Sequence, residues 1–407
     1  MAKKTVRDIE LQGKRILMRV DFNVPLDKSL NITDDTRIRA ALNTIRYCIK
    51  QGAKTILISH LGRPDGKVVE SMRLGPVAKR LEELLGKKVL YVKDCIGDEI
   101  RSISLNMSSG DVVLLENVRF YPEEEANDLE FSKKIALLGD IFVNDAFGTA
   151  HRAHSSTEGV AHFLSSVAGF LMEKEIKYIG DSLANPRRPF VAVLGGAKVS
   201  DKINVIKNIL NIVDTCLIGG AMAYTFLRAQ GCEVGDSRVE GKITDKKGKE
   251  IDILKIAGET LEMAKQKNKE ILLPVDHIIA DKFDPFANKK TVDTPELCKG
   301  WMALDIGPRA REIYSKQIIG AKMVMWNGPM GVFEMKGFEQ GTLSIAKACA
   351  ECTKKGGITI VGGGDSVAAV QQMGFTDSIT HISTGGGASL EYMEGKVLPG
   401  IAALQEK

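Results

Sequence analysis

The chain has 407 residues, 44% of them hydrophobic and 27% charged, enough apolar material for packed cores in two or three domains of ordinary size. Its 56 basic and 52 acidic residues leave a net charge of +4, too balanced for a nucleic-acid partner or an anionic membrane surface. No run approaches the ~18 apolar residues of a membrane span, and the start, MAKKTVRDIE, lacks the apolar stretch of a signal peptide, so a protein free in the cytoplasm is expected.

Taken in order, short runs rich in Val, Ile and Leu alternate with amphipathic stretches. RILMRV (Arg15–Val20) is strand-like, and the run from Thr36 carries the helical period as far as Gly52. TILISH, a helical LGPVAKRLEELLG, KVLYV, DVVLLE and DIFVND follow. After FLMEKEIKYIGDSL and the breaker NPRRP (Asn185–Pro189) the pattern restarts with FVAVLGG, DTCLIGG, ILLPVDH, KMVMWNG and ITIVGGG. Near-continuous apolar strands between helices indicate parallel sheets covered on both faces. The expectation is an α/β protein of two doubly wound, Rossmann-like domains. An N-terminal domain over 1–170, a hinge helix over 171–187 and a C-terminal domain over 188–390 are expected, with a tail over 391–407.

Seven cysteines are scattered, and only Cys349 and Cys352 are spaced as CxxC. A second pair is missing and the spacing falls in a helical run, so core thiols in a reducing compartment are expected rather than a zinc site.

In doubly wound sheets ligands bind beyond the carboxyl ends of the strands. In the first half those ends supply Asp21, Asn23, His60, Arg63, Arg119, His151, Arg152 and His154, with Arg37 opening the first helix. One such end, FGTAHRAHSS (Phe147–Ser156), holds an Arg and two His and no acid. Several guanidinium forks at successive ends point to a small, multiply charged anion, which they bind bidentately. A phosphorylated hydroxy acid satisfies that inventory, with Asp21 and Asn23 for its hydroxyl groups. The same arginines would repel a cation, so the histidines are not read as metal ligands.

The second half's ends are rich in glycine. GGGDS (Gly362–Ser366) after ITIV suits a phosphate-binding turn at a helix N-terminus. LGGAKVSDK adds Lys198 and Lys202, four apart and expected on one face of a helix start. Asp365 and Glu334 are available for a magnesium ion or a ribose. Together they suggest a nucleotide. No GK is followed by Ser or Thr, no GxGxxG follows the first strand, and GxSxG and HExxH are absent. A P-loop NTPase, a nicotinamide dehydrogenase and two common hydrolase classes are thereby disfavoured.

RVDFNVP, SHLGRPDG, LLENVRF, VNDAFGTAHRAHSS, LGGAKVSDKI, LPVDHIIADKF, WNGPMGVFE, VGGGDS and STGGGASLE, in this order across nearly the whole chain, resemble the phosphoglycerate kinase family. The resemblance implies reversible phosphoryl transfer between 1,3-bisphosphoglycerate and ADP, giving 3-phosphoglycerate and ATP, with Mg2+. It implies small-molecule substrates, a monomer, and a tail that returns to the first domain. By position, Asp21 and Asn23 would hold the glycerate, while His60, Arg63, Arg119 and Arg152 would clamp its phosphate. Arg37 would lie near the reacting carboxyl, with Lys198 and Lys202 at the nucleotide phosphates as further catalytic groups. Ala303, Asn327, Glu334, Gly363, Gly364, Asp365 and Ser366 would bind the nucleotide, Glu334 at the ribose and Asp365 as metal ligand. Gly385, Gly386 and Gly387 would form a loop at the phosphoryl in flight. One departure is WMALDIG, where the family usually carries Gly at the position of Ala303, beside the adenine pocket. The competing expectations are a related small-acid kinase and a two-domain nucleotide or anion binder without turnover.

Overall fold

The computed structural model describes residues 2–244 and 248–407, which form two compact α/β units. One unit runs to Lys177 and takes in Val397–Lys407; the other is Tyr178–Lys396.

The first unit is built on β1 (Arg15–Arg19), β2 (Lys54–Ile58), β3 (Leu90–Tyr91), β4 (Val112–Leu114), β5 (Ile141–Asn144) and β6 (Ser165–Ala168). They form one parallel sheet in the order β3-β4-β2-β1-β5-β6. Side chains of a strand alternate between faces, and here both faces are covered. Ile16 and Met18 enter a core with Ile38, Leu42 and Ile45 of the helix Thr36–Lys50. Leu17 turns the other way, into a core with Phe131, Ile135 and Phe142. An uninterrupted apolar strand is the consequence. The helix Gly75–Leu85 stops at Gly86, whose φ of 64° lets its N–H reach back to the Glu82 carbonyl.

The chain's last residues belong to this unit. Lys4 N–H donates to the Gln405 carbonyl at 2.9 Å, Gln405 N–H to Ser166 at 2.9 Å, and Gly400 N–H to Ala150 at 2.9 Å. The unit takes the chain back at Val397, later than the expected residue 391. The linking segment is also less regular than one helix. It runs as an α-helix Phe170–Glu175, a π-helical stretch Ile176–Gly180 and an α-helical turn Asp181–Ala184.

The second unit contains β7 (Phe190–Leu194), β8 (Thr215–Ile218), β9 (Lys242–Thr244), β10 (Glu250–Asp252), β11 (Glu270–Leu272), β12 (Asp276–Ala280), β13 (Lys289–Asp293), β14 (Met302–Ile306), β15 (Met323–Asn327), β16 (Ile358–Gly362) and β17 (His381–Ile382). A parallel sheet, ordered β11-β8-β7-β15-β16-β17, forms its centre. Two smaller antiparallel sheets, β13-β12-β14 and the β9–β10 pair, were not expected from the sequence. The reading of ILLPVDH as one strand is corrected. Pro274 has no N–H to give a ladder, and the chain leaves the parallel sheet after Leu272 to enter the antiparallel one at Asp276. Cys349 and Cys352 lie buried on the helix Gln340–Lys354 as unpaired thiols. No described helix is long and apolar enough to cross a membrane.

Candidate functional site

In the first unit the expected residues gather at the carboxyl edge of the parallel sheet. Asp21 follows β1, His60 and Arg63 follow β2, Arg119 follows β4 and Arg152 follows β5, while Arg37 opens the adjacent helix. Polar contacts knit most of them together. Arg37 Nη1 donates to both carboxylate oxygens of Asp21, at 3.1 and 3.0 Å. Among the described residues its Nε and Nη2 have no protein partner, and its side chain is 39% exposed. Asn23 Oδ1 accepts the Gly62 N–H at 2.8 Å, and the Gly62 carbonyl accepts Arg119 Nη1 at 2.9 Å. The loop after β2 is thus pinned from both sides. Arg63 projects from it, exposed. Arg152 Nε lies 3.2 Å from His151 Nε2.

Burial and like charge set the titration of the histidines here. His60 is held well below the usual histidine range, first by burial and then by the guanidiniums of Arg19, Arg119, Arg37 and Arg152. His154 is pushed down to about 4 by burial, then by Arg119, Arg19 and Arg152. Both are therefore neutral near pH 7. His154 and His151 sit in the loop with Arg152.

Several supporting groups escaped the sequence reading. Arg19 has no exposed surface, and its donors go to Ser156, Val20 and His60. Asn117 accepts from Arg119 N–H at 3.1 Å and donates to the Leu61 and Met72 carbonyls at 2.7 and 2.9 Å, tying the loops that present His60 and Arg119. Glu116 accepts from Arg73, Leu74 N–H, Tyr91 and Asn117 N–H. One signal was available: a charge within the apolar strand RILMR is seldom left buried without a partner.

In the second unit the glycine-rich turns after β7, β15 and β16 come together. Lys202 Nζ reaches back to the carbonyls of Gly195 at 2.6 Å and Asn327 at 3.0 Å, joining two strand ends. Burial brings its pKa down to about 8, opposed by Asp365 and Asp201. The expectation that Lys198 and Lys202 share a helix face is wrong. The helix starts only at Ile203, because the chain after Gly196 runs through a turn in which Ser200 bonds Glu240 through N–H (2.9 Å) and Oγ (2.7 Å). Lys198 is exposed on that turn.

Gly363 takes a φ of +87° and leads into the helix Gly364–Gln372, whose first turn carries Asp365. A Cβ at Gly363 would stand 3.0 Å from Asn327 Nδ2. Among the described residues that buried amide nitrogen has no hydrogen-bond partner, an orphan donor beside a glycine turn. Ser366 Oγ accepts the Gly328 N–H. Gly385 and Gly386 precede the short helix Gly387–Met393, with Gly385 N–H on Ser383 Oγ at 3.1 Å.

A cavity of about 410 Å3 opens beside these turns, lined by Ala197, Tyr224, Ala303, Met330, Glu334 and Asp365 among others. Ala303 is 6% exposed, and its N–H donates to Ser237 Oγ at 3.0 Å. Its methyl therefore belongs largely to the wall of the cavity. Among the described residues no three His, Cys, Asp or Glu side chains cluster to hold a metal by themselves. A lone Asp365 carboxylate beside a glycine turn still suits magnesium, which takes one or two carboxylates and completes its shell with substrate phosphates and water.

An arginine-lined edge on one parallel sheet and a glycine-and-lysine edge beside an apolar cavity on another define an α/β enzyme of phosphoryl transfer. A family profile described as phosphoglycerate kinase matches residues 6–396. A phosphoglycerate kinase of Chloroherpeton thalassium is 55% identical over 405 residues, covering 99% of both chains, and one of Roseiflexus castenholzii is 56% identical over 408 residues, covering 100% of both. Among solved structures, the phosphoglycerate kinase of Coxiella burnetii superposes with a TM-score of 0.89 at 40% identity, covering 98% of each chain. That of Pyrococcus horikoshii gives 0.81 at 35%, covering 99% of this chain and 98% of the other.

The chain belongs to the phosphoglycerate kinase family. It is a kinase of glycolysis that moves a phosphoryl group to and from a carboxyl group, with a nucleotide as the other substrate.

Proposed function

We propose that the first unit's edge binds 3-phosphoglycerate or 1,3-bisphosphoglycerate and the second unit's edge binds ADP or ATP with Mg2+. The observation that carries this is Arg37: one arm of its guanidinium is fixed on Asp21 while the rest stays free and solvent-facing. A fork oriented in this way is ready for a carboxylate or an acyl phosphate. In this reading Arg63, Arg119 and Arg152 neutralise the distal phosphate, the uncharged His60 donates a hydrogen bond to it, and Asp21 and Asn23 hold the glycerate hydroxyl. Lys198, Lys202 and the Gly363–Ser366 turn receive the nucleotide phosphates, with Asn327 Nδ2 as a further donor. Ala303 lines the base pocket, Glu334 meets the ribose, and Gly385–Gly387 offer backbone N–H groups to the phosphoryl in transit.

A carboxylate attacks phosphorus without prior deprotonation, and the ADP terminal oxygen does so in reverse. No covalent protein intermediate is needed, and catalysis rests on positioning and on cations aimed at the transferred group. Bound Mg2+, held by Asp365, would neutralise charge on the nucleotide phosphates. The seven free thiols and balanced charge accord with a cytoplasmic monomer, which light scattering on the purified chain would test.

The test is transfer from ATP to 3-phosphoglycerate with continuous removal of the product. Turnover is expected to need both substrates and Mg2+, and to stop with EDTA. Arg37→Ala should lower kcat by about 10² to 10³, roughly 3–4 kcal/mol, with the nucleotide KM little changed. A kcat within a fewfold of the parent would refute the role of Arg37.

A further inference from the structure

Beneath the arginine-lined edge runs a buried chain of polar contacts. Arg19, at the end of β1, has no exposed surface. Its Nε donates to Ser156 Oγ at 2.8 Å, its Nη1 donates to the Val20 carbonyl, and its Nη2 lies 3.0 Å from His60 Nδ1. Ser156 passes the chain on: its Oγ donates to Glu124 Oε1 at 2.6 Å and its N–H to Oε2 at 2.8 Å. Glu124 is also fully buried.

Chemistry leaves one direction for the contact with His60. A guanidinium has five N–H donors and no acceptor, so Arg19 donates and Nδ1 accepts. An accepting Nδ1 carries no proton, and the hydrogen of the neutral ring must then sit on Nε2. An imidazolium would set two donors against each other in a buried site.

We infer that Arg19 is a positioning residue for the phosphorylated acid: it fixes His60 as the neutral tautomer protonated at Nε2, so that His60 offers the substrate anion a donor without a further charge. This rests on the reading that His60 belongs to the substrate site. The charges facing the pair fit it. Arg19, Arg37, Arg119 and Arg152 all act on His60 as like charges that oppose its protonation. Glu124 and Asp21 balance Arg19 itself. Ser156, the last residue of the Phe147–Ser156 segment, is the link by which the Glu124 carboxylate holds Arg19 against the histidine.

The experiment uses the full chain labelled with 15N-histidine, the His60 signals being assigned by their loss in His60→Gln. From about pH 5 to about pH 8, where an ordinary histidine changes charge, His60 is expected to stay neutral with its proton on Nε2. A proton on Nδ1, or titration within that window, would overturn the inference, and this readout needs no variant at Arg19. Arg19→Met should free the tautomer and raise the KM for 3-phosphoglycerate by about tenfold, the loss of one oriented donor to an anion, with the nucleotide KM within about twofold. Arg19→Lys should recover part of it. Arg19→Met with the tautomer and both KM values unchanged would refute it. His60→Gln separates the two claims. If it leaves the KM for 3-phosphoglycerate unchanged, the site reading fails and the inference with it. If it raises that KM while the parent spectra show a proton on Nδ1, only the inference fails.

Discussion

At Gly328 a single added methyl should do marked harm to the second unit. Its φ is +100°, which an L side chain rarely adopts, and an added Cβ would collide with the Gly195 carbonyl and with Lys202 Nζ. Neither neighbour has room, because Lys202 is held between the Gly195 and Asn327 carbonyls. Gly328 also donates its N–H to Ser366 and accepts Trp326 Nε1–H at 2.7 Å through its carbonyl, so the residue cannot rotate away without loss. Gly300 is the control: φ +85°, with nothing within 4 Å of an added Cβ. At both positions the backbone strain costs about 1–2 kcal/mol. At Gly328 the collision adds about 1–3 kcal/mol more. For a unit of this size each kcal/mol moves the melting midpoint by about 2–4 °C. Thermal melts followed by circular dichroism should rank Gly328→Ala well below Gly300→Ala. Kinetics should show a KM for ADP raised about tenfold in the former alone, since Lys202 is displaced. Equal melting losses, or a Gly328→Ala enzyme with an unchanged KM, would refute the reasoning.

Lys202 gives a pH test. With its pKa near 8 it is charged below that value, so the KM for ADP should climb as pH rises through about 8, by up to about tenfold per unit; Lys202→Arg, always charged, should flatten the profile. Because the folded pKa lies below the ordinary 10.5, the unfolded chain binds more protons between the two values, and this residue's contribution to stability rises with pH across that window. A flat KM profile to about pH 9.5 in the parent would sink the assignment. Glu116, 2% exposed, accepts from four donors, all of which Glu116→Ala would leave without it in a buried or half-buried setting. Urea titration should show a loss of about 3–5 kcal/mol, and less than about 1 kcal/mol would contradict it.

Much of the candidate site's placement was legible because it follows from topology. Once alternating strands and helices imply parallel sheets, the residues just past each strand are the ones expected to face a ligand. Asp21, His60, Arg63, Arg119 and Arg152 were reached in that way, as was the turn at Gly363–Ser366. The helix face expected for Lys198 and Lys202 does not form, for a local reason. A glycine turn followed by the Ser200–Glu240 clamp delays the helix to Ile203, and Glu240 lies far along the chain from Ser200.

Residue pattern alone was enough for the alternating strands and helices of the two parallel sheets, for the cover on both faces of those sheets, and for the chemical character of each edge. Those depend on periodicity and on residue type, which are local. Which polar groups are buried, and what holds them, came from the folded chain. Arg19 meets Ser156 across 137 positions of chain, and Asn144 donates to the Gly400 carbonyl across 256. The same holds for the antiparallel sheet around β12. Side-chain periodicity is written along the chain, whereas partners of buried charges and of returning segments are set by contacts between distant residues that only folding brings within hydrogen-bond reach.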